Sequence, residues 1–346
     1  MKTAIKILAA LLVVVLLGAT AMVLVSEGGL MWLKKPVIRE RTAPAIPTEE
    51  TLEPTETTEP EAMSQNLADG TEEATVKTPE EEKPARTITA KKYFIYDLRD
   101  EKFLDKKDDA DAKLYPASIT KLMTSYVLLQ HMKPKDTVVV GADAMALVHP
   151  DSSRAWLKIG DTLTVEQLIA GMMLPSGNDA AHVAAVACGR VIAGNNSLDA
   201  KSAVEAFMQE MNKQAKNLGM TGSHWVTPDG MHDENHYTTM QDLITLSTKL
   251  LADQTVLKYT SKAKTTAKTP TRSLTWENTN LLLQSGKSFY VPSAIGLKTG
   301  YTDVAGNCLI SAFFEEDRLI LIGVFGCPKK TTDRYQDRVA LYQSLS

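Results

Sequence analysis

Residues 115–129 of the chain read Tyr-Pro-Ala-Ser-Ile-Thr-Lys-Leu-Met-Thr-Ser-Tyr-Val-Leu-Leu. Their apolar side chains recur at helical spacing, and Pro116 stands where a chain commonly enters a helix. If the helix begins near Ser118, then Ser118 and Lys121 lie on one face, one turn apart. A lysine whose pKa is lowered, by burial or by another cation nearby, can take the proton of a serine and turn its hydroxyl into a nucleophile. Because backbone N–H groups at a helix start can face an oxyanion, the stretch predicts a nucleophile, its base and part of an oxyanion hole.

A second polar segment, Leu-Pro-Ser-Gly-Asn-Asp-Ala-Ala, spans residues 174–181. The segments on either side of it are predicted helices. The first covers Thr164–Met173 and starts with a Thr-x-x-Gln capping box, and the second covers Asn178–Ala193. Ser176 and Asn178 therefore stand on a turn between two helices, which can present a hydroxyl and an amide to a cleft.

A third segment, Gly-Leu-Lys-Thr-Gly-Tyr-Thr, spans residues 296–302 and ends a predicted strand. There Lys298 can offer a positive charge to a substrate carboxylate, and Thr299 can offer a hydroxyl. Gly300 lets a ligand approach the backbone closely. Each of the three segments is common by itself. Together, Ser-x-x-Lys, a Ser/Asn turn and Lys-Thr-Gly in this order are typical of penicillin-binding proteins and β-lactamases.

The sequence from about Thr87 to the C-terminus resembles the low-molecular-mass penicillin-binding proteins of the serine D-Ala-D-Ala carboxypeptidase family. The resemblance includes His-Trp-Val-Thr-Pro-Asp-Gly at residues 224–230, His-Tyr-Thr-Thr at 236–239 and Asn-Thr-Asn-Leu-Leu at 278–282. It implies an α+β fold of the β-lactamase/transpeptidase type, with an antiparallel sheet of about five strands flanked by an all-helical subdomain. The order of predicted elements agrees, because a first strand precedes a helical block, further strands and a terminal helix.

The resemblance also implies a reaction. Ser118 would attack the carbonyl between the two terminal D-alanines of a peptidoglycan stem peptide, and Lys121 would take the Ser118 proton. Ser176 would protonate the leaving D-alanine, and Asn178 would hold both the substrate amide and Lys121. Water would then hydrolyse the acyl-enzyme. β-Lactams mimic the D-Ala-D-Ala bond and would acylate the same serine.

The resemblance assigns substrate binding to the third segment. Lys298 and Thr299 would hold the terminal carboxylate beside Gly300, and the backbone N–H groups of Ser118 and Tyr301 would form the oxyanion hole. We also expect that a charge on Lys298 close to the catalytic lysine lowers the pKa of that lysine. The reaction needs neither a metal ion nor an organic cofactor, and we expect none.

The N-terminal residues predict a membrane segment. Lys2 and Lys6 precede an apolar run over residues 7–25, which is close to the length that a helix needs to cross a bilayer. We interpret residues 1–35 as a signal anchor that holds the enzyme on the outer face of a bacterial cell membrane. The alternative is a signal peptide with Ala19-Thr20-Ala21 as its cleavage site, which would release the protein. Family members often continue into a further β-rich domain and a C-terminal anchor. Here we expect neither, and the N-terminal run would anchor the chain instead.

The acidic charge of the chain is concentrated in one segment. Residues 36–87 carry 13 acidic and 5 basic side chains, a net charge of -8, so the total of -4 leaves +4 for the remaining residues. Because this segment is rich in Pro, Glu and Thr, we predict a disordered, self-repelling linker. Residues 88–346 would then form the catalytic domain. The overall charge gives no reason to expect nucleic acid as a partner.

Several alternatives stay open. A D,D-endopeptidase would use the same acyl-enzyme. A class A β-lactamase would show Ser-Asp-Asn in the second segment and a deacylating glutamate, whereas Glu277 does not stand in the expected Glu-x-x-Leu-Asn pattern. His232 and His236 have a zinc-like spacing, although their surroundings predict a loop. A wall-binding scaffold without catalysis is disfavoured, because Ser118, Lys121 and the Lys-Thr-Gly lysine are all present.

The chain has three cysteines, Cys188, Cys308 and Cys327, and none stands in a Cys-x-x-Cys pair. We predict buried free thiols, with a Cys308–Cys327 disulfide as the alternative.

Overall fold

The computed structural model describes residues 87–315, 317–328 and 330–345. Along these residues the strands and helices are β1 (Lys92–Asp97), β2 (Lys102–Lys107), α1 (Thr120–His131), β3 (Thr137–Val139), α2 (Ala142–Met145), β4 (Thr162–Thr164), α3 (Val165–Met173), α4 (Asn178–Ala193), α5 (Ala200–Asn217), α6 (Met240–Leu251), α7 (Gln254–Thr260), β5 (Lys264–Lys268), β6 (Ser273–Glu277), β7 (Ala294–Thr302), β8 (Gly306–Glu315), β9 (Arg318–Cys327) and α8 (Asp333–Gln343).

The largest sheet contains five antiparallel strands in the order β2-β1-β9-β8-β7. Successive side chains of β8 and β9 point to opposite faces, and both faces are covered. Ile310 and Leu321 belong to the core on the helical side, whereas Leu309 and Ile322 belong to the core under α8. Such two-sided burial explains why both strands are nearly continuous apolar runs. The predicted α+β fold with about five antiparallel strands is confirmed.

The larger core lies between this sheet and the helices α1, α3, α4, α5 and α6. The first helix, α1, is central to this core. Its Leu122, Met123, Val127 and Leu128 are fully buried. Because α1 follows Ser118 directly, the packing of α1 fixes the position of the predicted nucleophile.

The helix ends follow local chemistry, as predicted from the sequence. Thr164 and Gln167 form a reciprocal capping box at the start of α3. Helix α5 begins at Ala200, because the Asp199 side chain accepts from the Ser202 N–H and caps it. Gly219, which follows the last residues of α5, has the left-handed φ of +79° that glycine adopts readily.

The predicted anchor or signal peptide at residues 1–35 lies outside the described residues, as does the predicted linker apart from Thr87. Within the described part of the chain, no helix is both long and apolar enough to span a membrane. The boundary of the catalytic domain at residue 88 stays a prediction.

Candidate active site

Ser118 lies on a short 3-10 turn, Ala117–Ile119, immediately before α1. The helix was predicted to start near Ser118, and it starts two residues later, at Thr120, after Ala117 with a left-handed φ of +49°. The two predicted residues nevertheless share one face. The Nζ atom of Lys121 lies 2.8 Å from the Oγ atom of Ser118.

Lys121 is fully buried and has three hydrogen-bond acceptors around its Nζ atom. Besides Ser118 Oγ, these are Asn178 Oδ1 and the backbone oxygen of Asp229, both at 2.7 Å. The last two oxygens carry no hydrogen and accept only. When the amine is neutral, its two hydrogens therefore go to these oxygens, and its lone pair is left facing the Ser118 hydroxyl.

Burial lowers the pKa of Lys121 to about 8, against the opposing effect of the Asp229 and Asp179 carboxylates, which raise it. A lowered pKa was predicted from the sequence, through burial or through a nearby cation such as Lys298. The main cause is burial, that is, the loss of solvent around the amine. An amine with this pKa is partly in its free-base form near neutral pH, as a general base requires.

The second predicted segment forms the turn between α3 and α4. Ser176 has a left-handed φ of +62°, and its carbonyl accepts from Ser153 Oγ at 2.6 Å. Asp179, in the first turn of α4, accepts from the N–H groups of Ala155 and Leu157 at 2.7 and 3.0 Å. The loop that carries Ser153 is thereby fastened to the start of α4, next to Asn178.

The third predicted segment lies along β7 and passes close to the Ser118 turn. A Cβ atom on Gly300 would lie 2.8 Å from the Pro116 carbonyl oxygen and 3.2 Å from the Ser118 nitrogen. Only glycine permits this approach, which places the next residue, Tyr301, beside the turn. Thr299 Oγ1 lies 2.7 Å from Thr279 Oγ1, so the segment at residues 278–282 supports the predicted carboxylate-binding hydroxyl.

Lys298 is buried, and its Nζ atom donates to the Thr299 carbonyl oxygen at 3.0 Å. Burial, together with the charges of Lys121 and Arg334, lowers the pKa of Lys298 well below its ordinary value. The repulsion between the two lysines that was predicted to act on Lys121 thus contributes, after burial, to the lowered pKa of Lys298. Its amine also lies 3.5 Å from Thr299 Oγ1, at the limit of a hydrogen bond.

These segments surround a cleft of about 750 Å³. Six of the eight predicted site residues line it, and Lys121 and Lys298 lie buried outside this lining. The six are Ser118, Ser176, Asn178, Thr299, Gly300 and Tyr301. The Tyr301 side chain is 46% exposed, and its hydroxyl donates to Asp303 Oδ1 at 2.7 Å. The structure therefore brings all three predicted segments to one place.

Comparison with known proteins agrees with this geometry. A family model described as D-alanyl-D-alanine carboxypeptidase matches residues 75–328. The chain belongs to this family. Because the match begins at residue 75, it overlaps the last part of the predicted linker.

The relatives include D-alanyl-D-alanine carboxypeptidase DacF of Bacillus subtilis, which is 30% identical over 224 residues, 63% of this chain and 52% of the relative. DacA of Escherichia coli is 33% identical over 247 residues, 69% of this chain and 56% of the relative. The chain thus spans about half the length of these curated relatives.

Among solved structures, the DD-transpeptidase of Streptomyces strain K15 superposes with a TM-score of 0.66 at 30% identity, over 75% of this chain and 97% of that structure. Penicillin binding protein 5 of Haemophilus influenzae superposes with a TM-score of 0.62 at 28% identity, over 75% of this chain and 71% of that structure.

Arg334 also lines the cleft, and it was not predicted as a site residue from the sequence. It lies in the first turn of α8 and is 6% exposed. Its Nη1 atom donates to the carbonyl oxygens of Gly300 and Cys308 at 2.9 and 3.1 Å, so the guanidinium braces the end of β7. No local sequence signal marks it. Arg334 and Arg338 are four residues apart in a segment of charged and polar residues, a pattern that equally suits a solvated helix face.

The zinc-like pair His232 and His236 does not form a metal site. His236 is buried, and both of its ring nitrogens are engaged, one with backbone N–H groups and one with Thr120. His232 packs edge-on against Tyr115. Over the described residues, no group of three or more His, Cys, Asp or Glu side chains is arranged to hold a metal ion.

All three cysteines are free and buried, as predicted, and no disulfide joins Cys308 to Cys327. Burial raises the pKa of Cys188 to about 12 and that of Cys308 to about 11. Burial also raises the pKa of Cys327. These thiols therefore stay protonated and unreactive at physiological pH.

Proposed function

We propose that the chain is a serine D-Ala-D-Ala carboxypeptidase, which removes the terminal D-alanine from peptidoglycan stem peptides through an ester on Ser118. The observation that carries the proposal is the 2.8 Å contact between the buried amine of Lys121 and the hydroxyl of Ser118, which lines an open cleft. Family membership supports the same reaction. The relatives that are named D-alanyl-D-alanine carboxypeptidases are longer chains, and this chain covers only about half of their length. Their activity is therefore inferred for this chain.

Acylation begins when Ser118 Oγ bonds to the carbonyl carbon and its proton passes to the neutral Lys121 amine. The carbonyl oxygen becomes an oxyanion that accepts from the backbone N–H groups of Ser118 and Tyr301. The carbon–nitrogen bond then breaks, and the leaving D-alanine nitrogen takes the proton of Lys121 through the Ser176 hydroxyl. This returns the lysine to its neutral form and leaves an ester on the serine.

Deacylation repeats the sequence with water as the nucleophile. The Lys121 amine takes a proton from the attacking water, the ester bond breaks, and the proton returns to Ser118 Oγ. Asn178 supports both stages, because its Oδ1 atom fixes one hydrogen of the neutral lysine while its amide nitrogen is available to the substrate.

The terminal carboxylate of the substrate would be bound at the end of β7. Thr299 and Arg334 line the cleft, and the buried Lys298 amine lies 3.5 Å from the Thr299 hydroxyl. Uptake of a carboxylate there would favour the charged form of the buried Lys298. β-Lactams carry an equivalent carboxylate and would acylate the same serine.

The position of Glu277, the candidate deacylating glutamate, argues against a class A β-lactamase. Glu277 lies on β6 with its side chain 69% exposed, and it pairs with Lys264 instead of lining the cleft.

We further propose that the predicted N-terminal anchor holds the enzyme on the outer face of a bacterial cell membrane. The alternative is release after signal cleavage.

The direct test is release of D-alanine from diacetyl-L-Lys-D-Ala-D-Ala by the full-length protein, with Ser118→Ala as the control. Release by the wild type and none by the variant is expected. If a fluorescent penicillin labels the wild type but no D-alanine appears, the natural substrate is a different one, such as the cross-linked peptide that an endopeptidase cleaves. If neither signal appears, the enzymatic proposal fails and a wall-binding scaffold is favoured.

A further inference from the structure

The peptide group between Ala117 and Ser118 is held by a side chain outside the cleft. The Ala117 carbonyl oxygen accepts from Thr120 Oγ1 at 2.7 Å. Because a trans peptide group is planar, the C=O of Ala117 and the N–H of Ser118 point in opposite directions and turn together. The Thr120 hydroxyl therefore fixes the direction of the Ser118 N–H, which is the proposed oxyanion donor.

The Thr120 hydroxyl is itself oriented by His236. A hydroxyl has one hydrogen, and that of Thr120 is used on the Ala117 oxygen. In the 2.8 Å contact between Thr120 Oγ1 and His236 Nε2, the histidine must then be the donor. On the other side of the ring, Nδ1 accepts from the N–H groups of Val226 and Thr227 at 3.0 and 3.2 Å. These partners assign a neutral ring with its hydrogen on Nε2.

The ring cannot easily move or change its charge. His236 is 2% exposed and packs edge-on against the buried Trp225. Asn212 holds both the N–H and the carbonyl of Trp225, at 2.9 and 2.7 Å. Burial lowers the pKa of His236 to about 4, so the neutral form prevails at physiological pH. Neither Thr120 nor His236 is among the described residues that line the cleft.

We propose that His236 and Thr120 are positioning residues that aim the Ser118 N–H into the oxyanion site. The proposal rests on the proposed acylation of Ser118. A hydrogen bond accepted by a peptide carbonyl also strengthens the donor at the other end of that peptide, because the bonds polarise one another. The effect should therefore be largest where negative charge develops, in the tetrahedral transition state.

Thr120→Val keeps the shape of the side chain and removes the hydroxyl, whereas Thr120→Ser restores it. The matched control is Thr238→Val. Thr238 is also fully buried, lies two residues after His236, and loses a comparable contact, that with Ser223 Oγ at 2.8 Å. It does not touch the Ala117 peptide, so it reports what the loss of a buried hydroxyl costs in the same part of the fold.

Two measurements on the full-length protein separate aiming from folding. The first is the rate and the final extent of labelling by a fluorescent penicillin. The second is the affinity for an acylaminomethyl boronic acid, whose tetrahedral adduct places an oxygen in the oxyanion site. Removal of an oxyanion donor costs about 10²- to 10³-fold, so mis-aiming it in Thr120→Val should slow acylation by about 10- to 100-fold. The affinity of Thr120→Val for the boronic acid should fall by a similar factor. The final extent of labelling by the fluorescent penicillin should still be complete. Thr120→Ser and Thr238→Val should stay within about threefold of the wild type, a loss of less than about 1 kcal/mol.

A second pair covers the case in which Thr120→Val does not fold. His236→Gln keeps an N–H near the Nε2 position, and His236→Asn does not reach Thr120, so the glutamine variant should acylate faster. The proposal is overturned if the folded fraction of Thr120→Val acylates as fast as Thr238→Val. It is also overturned if His236→Asn equals or exceeds His236→Gln. If the wild type itself is not labelled, the proposed function has failed instead.

Discussion

The rate of Ser118 acylation should depend on pH through Lys121. Only the neutral amine can take the serine proton, and its pKa is about 8. The free-base fraction is then about 1% at pH 6 and about 50% at pH 8, so the acylation rate should rise about 50-fold between these values. Above pH 8 less than about a twofold increase remains, because the amine is already half neutral.

Asp229 offers a way to shift this profile. Its buried carboxylate raises the pKa of Lys121, opposing burial. Asp229→Asn removes the charge and keeps the backbone oxygen that accepts from the lysine, so the midpoint of the profile should move to lower pH. Asp317→Asn, an equal charge change on an exposed turn, should leave the midpoint in place.

The assay is the second-order rate of labelling by a fluorescent penicillin between pH 5.5 and 9.5, on the wild type and both variants. A rate that is flat over this range would show that deprotonation of the lysine does not limit acylation. A midpoint that moves to higher pH in Asp229→Asn would contradict the assigned electrostatics.

Three further results are expected. A Cβ atom on Gly230, whose φ is +85°, would lie 1.9 Å from the Ala117 oxygen, so Gly230→Ala should slow acylation by about 100-fold. Gly219→Ala, at a similar φ of +79° with open space around it, should not slow acylation. Equal labelling rates of Gly230→Ala and Gly219→Ala would disprove the steric explanation. Asp179→Ala removes the acceptor of two backbone N–H groups and should cost about 3 kcal/mol in urea unfolding, whereas a loss below about 1 kcal/mol would contradict that role. A thiol reagent should modify no cysteine in the native protein and all three after unfolding, and only one reactive thiol after unfolding would indicate a disulfide.

Features with a local signature were predictable from the sequence. The capping box of α3 depends on two residues three positions apart, and α4 was predicted with its observed bounds, Asn178–Ala193. The second site segment forms the predicted turn between two helices. The first helix begins two residues after Ser118, and the Lys-Thr-Gly segment, predicted at the end of a strand, lies within β7, which continues to Thr302.

Several short strands were not predicted. β2 is a charged edge strand with mostly exposed side chains, so no apolar pattern marks it. The hairpin of β5 and β6 was not predicted either. β5 is rich in Lys and Thr and has little apolar pattern, whereas in β6 the buried Leu274 and Trp276 alternate with polar residues, as in a strand. The single pair of strands in this hairpin is stabilised by tertiary contacts, such as the bond from Trp276 Nε1 to the Ala155 oxygen at 2.8 Å.

Long-range supports of the site were not predictable either. Thr120 and His236 are 116 residues apart, and Arg334 reaches Gly300 across 34 residues. The histidine motif was noticed in the sequence, but its chemistry was not, because the spacing of two histidines says nothing about which atoms their nitrogens meet. The sequence left burial and a nearby cation open as causes of the lowered pKa of Lys121, and only the packing of α1 shows that burial is the main one.

The geometry assigns Ser118 as the nucleophile and Lys121 as the base that activates it. Mass spectrometry of peptides from the full-length protein after reaction with benzylpenicillin tests this assignment, with Lys121→Ala treated in parallel. One covalent adduct is expected, on the peptide that contains Ser118 and at the serine itself, with little or none in the lysine variant. An adduct on any other residue, or full acylation without the lysine amine, would contradict the assignment.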